Sequence, residues 1–122
     1  MKTRMFLVGI LVLMAGPLGA GERLEMTVSP AVAFAPAHLI VRAIIEARDQ
    51  NRAMKVVAES GDFYRASEVE LEGDKAPRTN TFEFRSLPPG TYQVTATLLG
   101  VDGHQLAYVR TQVNVVSSGA SR

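Results

Sequence analysis

The chain has 122 residues, 47% of them hydrophobic, with 13 Lys and Arg against 12 Asp and Glu and no cysteine. That is enough chain for one domain with a core of its own. Without thiols, disulfides, thiolate metal sites, a cysteine nucleophile and a lipid-modified cysteine are excluded. The near-neutral charge, with no basic block or basic–aromatic interleaving, argues against a nucleic-acid partner.

Lys2 and Arg4 open the chain, residues 5–15 (MFLVGILVLMA) form an uncharged apolar run, Gly16-Pro17 interrupts it, and Gly19, Ala20 and Gly21 are small. This is the layout of a secretory signal peptide, and the run falls short of the about 20 residues that span a membrane. The expected division is a signal peptide at 1–20, a β-domain at 21–116 and a disordered tail at 117–122. Cleavage after Ala20 is preferred although it places bulky Leu18 at the −3 position; cleavage after Gly21 places Gly19 there. An uncleaved signal would instead anchor the protein in the inner membrane. The expected location is the periplasm or outside the cell, and a cysteine-free exported chain suits a bacterial envelope. Loss of Lys2 and Arg4 leaves 11 basic against 12 acidic residues.

Residues 23–29 (RLEMTVS) read as a short first strand closed by Pro30, and residues 31–36 as an apolar crossing bounded by prolines. Residues 38–48 (HLIVRAIIEAR) fit two periods. With period two, Leu39, Val41, Ala43, Ile45 and Ala47 share a face; as a helix, Leu39, Ile40, Ala43, Ile44 and Ala47 form a stripe. The strand is preferred, because β-branched residues dominate, a turn-prone Asp49-Gln50-Asn51 follows and every later segment reads as β. Residues 53–59 return as the partner strand, Ser60-Gly61-Asp62 turns, and residues 64–71 form another strand. After a polar loop at 72–80, Phe82 and Phe84 point inward, Pro88-Pro89-Gly90 turns the chain, and Tyr92, Val94, Ala96 and Leu98 share one face. An Asp102-Gly103 turn then leads to a last strand with Ala107, Val109, Thr111, Val113 and Val115 on one side. About seven short alternating strands separated by turns indicate an all-β, antiparallel β-sandwich.

The segment Leu87-Pro88-Pro89-Gly90-Thr91-Tyr92-Gln93-Val94 resembles the E–F corner and F strand of immunoglobulin-like and fibronectin type III-like bacterial domains. It is also similar to a segment of carboxypeptidase-regulatory-like modules. The resemblance implies an immunoglobulin-like sandwich in which Tyr92 occupies a structural corner, its hydroxyl bonding back to the chain. The paired cysteines and core tryptophan of antibody domains are absent. The motif says little about function, because such sandwiches carry many unrelated roles.

Few residues suggest chemistry. His38 and His104 lie far apart in the strand order and read as solvated histidines rather than metal ligands. Glu68, Glu70 and Glu72 alternate on one strand, with Asp74 beyond. Calcium is the functional reading, but alternate residues stand about 7 Å apart, which favours a solvated face that blunts an edge. Phe63-Tyr64 follows a turn; these rings either contact a partner or plug the open end of the sandwich. Ile40 and Ile44 fall on the outward face of their strand, and together with Val57 and Leu99, were these also outward, would form an apolar interface patch. No catalytic motif is present, and neither a cofactor nor a metal is expected. The expected function is therefore a non-catalytic, exported, single-domain binding or accessory module of the bacterial cell envelope, with an envelope protein or a glycan as partner and Ile40, Ile44, Phe63 and Tyr64 as candidate contacts. The alternative is a strand-exchanging structural subunit using residues 31–34 or the last strand; such a subunit should oligomerise or capture peptide, whereas a lone module should stay monomeric.

Overall fold

The computed structural model describes residues 24–117; the expected signal peptide and most of the expected tail lie outside them. Eight strands follow one another: β1 (Leu24–Ser29), β2 (Val32–Phe34), β3 (Ala37–Ile45), β4 (Ala53–Ser60), β5 (Phe63–Glu70), β6 (Thr79–Leu87), β7 (Gly90–Leu99) and β8 (Gln105–Val116). They form a three-stranded sheet in the order β1-β3-β6 and a five-stranded sheet in the order β2-β8-β7-β4-β5. All pairs are antiparallel except β2 with β8. The eighth strand is β2, inside the stretch expected to be a simple crossing. Among the described residues no helix is long and apolar enough to cross a membrane.

The ambiguous segment is strand β3, central in its sheet, because period two buries five residues where the chain needs them. Leu39, Val41, Ala43 and Ile45 face the core along with Ala37. Across the sandwich they meet Met54, Val56 and Ala58 of β4 and Tyr92, Val94, Ala96 and Leu98 of β7 in one continuous cluster. From β6, Phe82, Phe84 and Leu87 join it. Simple alternation would turn Leu87 outward. It faces inward because the pairing slips between Ala37/Leu87 and Leu39/Phe84, with Ser86 at φ 60° as the extra residue. A bulge of this kind re-aims the next side chain.

Two tight approaches seal the ends. Gly90 adopts φ +157° and lies so close to the β4–β5 turn that a Cβ there would stand 2.5 Å from Ser60 Oγ; only glycine fits. At the other end the β3–β4 loop folds around Asn51, which is fully buried. Its Nδ2 donates to the Glu46 carbonyl at 2.8 Å, and its own carbonyl accepts from Gly73 N at 2.9 Å. Among the described residues Asn51 Oδ1 has no partner. Replacing Asn51 with Ala removes one satisfied donor and one orphaned acceptor together. We expect a loss of about 1–2 kcal/mol in a urea titration, at the lower part of the range for broken buried hydrogen bonds.

Candidate functional site

The strand directions place the expected site residues on separate surfaces. Ile40 and Ile44 do face outward, on the three-stranded sheet, but each is only half-buried among polar neighbours. Ile40 is flanked by Ser29 and Glu83, Ile44 by Glu25 and Thr79. Val57 and Leu99 face outward on the five-stranded sheet, the opposite side of the sandwich. The four therefore form no common patch, because β3 belongs to one sheet and β4 and β7 to the other.

Phe63 and Tyr64 part company, as neighbours on a strand must. Phe63 turns inward and packs edge-on against Tyr92, with ring centroids 5.9 Å apart. The Arg65 guanidinium lies 5.2 Å from the Phe63 centroid, and its Nη1 donates to the Arg85 carbonyl at 3.3 Å. Because β5 and β6 are edges of different sheets, this bond closes the open side of the sandwich over the Phe63 ring. The Tyr92 hydroxyl donates to the Pro88 carbonyl at 2.7 Å. Burial pushes its phenol above the ordinary value, opposed in part by Arg65, so the group stays a donor. Tyr64 is 57% exposed on the outer face.

Glu68 stands beside Lys55 and Glu70 beside Ala53 on that same outer face, while Glu72 precedes a 3-10 turn. Among the described residues no three or more histidines or carboxylates converge as metal ligands would. The histidines sit at opposite ends of the fold. His38 opens β3, with Nε2 3.6 Å from Glu83. His104 follows the β7–β8 turn, with Nδ1 2.6 Å from the Val101 carbonyl. Arg85 at 2.9 Å from Glu83, with a smaller part from His38, holds the Glu83 carboxyl below its usual range.

Two surface features follow from the sheet order: a ring that the sequence leaves unassigned, and an edge built by residues that the sequence offers as an element for strand exchange. One is Tyr108, 39% exposed, which shares the outer face of the five-stranded sheet with Tyr64. The surface between these rings carries Thr97 and Lys55 in the row of Tyr108, Arg110, Thr95 and Val57 in the next row, and Gln112, Gln93 and Glu59 in the row of Tyr64. The other is the free edge of that sheet, where Val32, Phe34 and Val116 are 58%, 69% and 38% exposed.

The chain's architecture matches solved structures at low identity. A superoxide reductase (neelaredoxin) from Ignicoccus hospitalis is 16% identical with a TM-score of 0.55, covering 77% of this chain and 80% of that one. The CARDB domain of the PF1109 protein from Pyrococcus furiosus, solved in complex with di-metal ions, is 21% identical with a TM-score of 0.50, covering 79% and 93%. The fold is immunoglobulin-like. A family 76 glycoside hydrolase from a bovine Bacteroides thetaiotaomicron strain is 15% identical with a TM-score of 0.53, covering 78% of this chain but only 20% of that one. No protein-family model and no curated protein matches the sequence. An oxidoreductase and a hydrolase among such neighbours shows how little the fold says about activity.

Proposed function

We propose that this protein is a non-catalytic, exported binding or accessory module of a bacterial cell envelope, with a protein or a glycan as its partner. The observation that carries the reading is the outer face of the five-stranded sheet. There Tyr64 and Tyr108 stand exposed on regular strands, separated by a mixed surface of Thr95, Thr97, Lys55, Arg110 and Val57. Rings held by paired strands lose little freedom on binding, and intervening donors and acceptors suit either a sugar or a polar peptide. Within the immunoglobulin-like fold, the segment at 87–94 supports a fibronectin type III-like or carboxypeptidase-regulatory-like relationship. Export is carried by the basic start and apolar run at residues 2–15, with the mature domain starting at Gly21.

The test titrates the exported protein with peptidoglycan fragments, defined polysaccharides and purified envelope proteins, and determines the mass of its mature N-terminus. A ligand that uses this face should lose about tenfold in affinity on Tyr64→Ala or Tyr108→Ala, with the melting temperature unchanged. If bound ligands are indifferent to both substitutions, this face is not the binding surface.

A further inference from the structure

Four strands form the sheet edges: β1, β6, β2 and β5. Three of them carry charges: Glu25 on β1, Glu83 and Arg85 on β6, and Arg65, Glu68 and Glu70 on β5. Charged edges resist pairing with another sheet. Strand β2 carries none; residues 31–35 read AVAFA. Its pairing with β8 also fixes where its backbone points. Asn114 N donates to the Ala31 carbonyl at 3.0 Å and Ala35 N to the Val116 carbonyl at 2.8 Å. In a parallel ladder, alternate residues direct both backbone groups to the same neighbour, so Ala33 also faces β8. Val32 and Phe34 therefore turn their N–H and C=O groups to the open side.

We propose that this edge joins two copies of the protein into a dimer, β2 against β2, with each chain keeping its own strand. A two-fold axis beside Ala33 sets Val32 opposite Phe34 of the second copy, and Phe34 opposite its Val32. In an antiparallel pair, residues so opposed exchange both backbone hydrogen bonds. All four open groups of each strand are then satisfied in one register. The next such positions along the ladder are Pro30 and Pro36, which have no N–H to give, so the ladder ends there. The side chains agree with that register. Phe34 and Val116 share a face through their pairing, so a row Val116–Phe34–Val32 runs into the second copy, unbroken by charge. In a two-fold contact residue i meets residue j and j meets i; on β5 an axis beside Val69 would set Glu68 opposite Glu70, whereas β2 has no charge to oppose. A contact this short stays well under about 1,200 Å², which fits a weak dimer with a dissociation constant on the order of 0.1–1 mM.

The dimer goes beyond the proposed function and does not depend on it, since the Tyr64 and Tyr108 substitutions that test that reading leave β2 untouched. Sedimentation velocity on the exported protein, from about 10 μM to about 1 mM, should show a monomer–dimer equilibrium. Val32→Lys and Phe34→Glu should each weaken it at least about tenfold. Mixing the two variants should restore association to at least about threefold tighter than either alone, because the new ammonium then lies opposite the new carboxylate. Amide exchange in the wild type should slow with concentration at Val32 and Phe34, a readout that needs no variant to fold. A concentration-independent monomer, variants that dimerise like the wild type, or a mixture no tighter than its components would overturn the proposal. So would an edge that binds apolar peptide while the protein stays monomeric, which would make a partner's strand the occupant.

Discussion

Val94→Asp should abolish the cooperative thermal transition of this domain, while Thr95→Asp, one residue along the same strand, should melt within a few degrees of the wild type. Val94 is fully buried on the inner face of β7. It sits between Tyr92 and Ala96 on its own strand and beside Ala58 of β4. A carboxylate there has the half-buried Thr111 of β8 as its one polar side-chain neighbour across the ladders, and otherwise meets apolar side chains and ladder groups already bonded. The cost is the lost burial of Val94, worth about 2 kcal/mol, plus an unpaired buried ion or its protonation, worth several kcal/mol more. Together these approach the about 5–15 kcal/mol that stabilises a typical domain. Thr95 points the other way, half-buried on the outer face between Val57 and Arg110, where a carboxylate has water and a guanidinium nearby. Circular dichroism melts of the two variants read the difference. Equal destabilisation would mean that β7 does not present these faces as described.

The same alternation explains what was legible in the sequence. Period-two patterns over 39–45 and 92–98 named the buried residues of β3 and β7 because each strand has one dry face and one wet face. The bulge at Ser86 was not legible, since it depends on a positive φ in a residue with no strong preference for it. Strand β2 was hidden for a related reason. Three strand residues within the five between Pro30 and Pro36 carry too little pattern to signal a strand, and among the described residues the pairing is with β8, about eighty positions later in the chain.

The candidate surface was legible residue by residue but not as a surface. Outward positions on one strand follow from parity. Which strands lie side by side does not, so parity alone cannot tell that Ile40 and Ile44 lie on one sheet and Val57 and Leu99 on the other. Tyr64 is marked in the sequence by the turn before it. Tyr108 is one of several outward positions of β8 with nothing to set it apart, and only the sheet order sets the two rings on one face. The signal that Ala31, Val32, Ala33 and Phe34 form an edge was present in their lack of charge, but an uncharged stretch becomes an edge only once its backbone is seen unpaired on one side.

Tyr92→Phe should cost about 1–3 kcal/mol, and Tyr92→Ala about 3–5 kcal/mol or more. The ring is fully buried, stacked edge-on to Phe63 and paired across the ladder with Val113. Phenylalanine keeps that packing and removes only the hydroxyl, leaving the Pro88 carbonyl without its 2.7 Å donor. The loss is larger than for a surface bond because the phenol already sits away from water, which is also why its ionisation is pushed up. Alanine adds a cavity beneath Phe63 and takes away the surface on which the Phe63–Arg65 stack rests, so the Arg65 bond to the Arg85 carbonyl should weaken too. Urea titrations of both variants and of Phe63→Ala separate the contributions. If the Tyr92→Phe midpoint equals that of the wild type, the corner is held by ring packing alone, and Phe63→Ala should then account for most of the difference between phenylalanine and alanine at position 92.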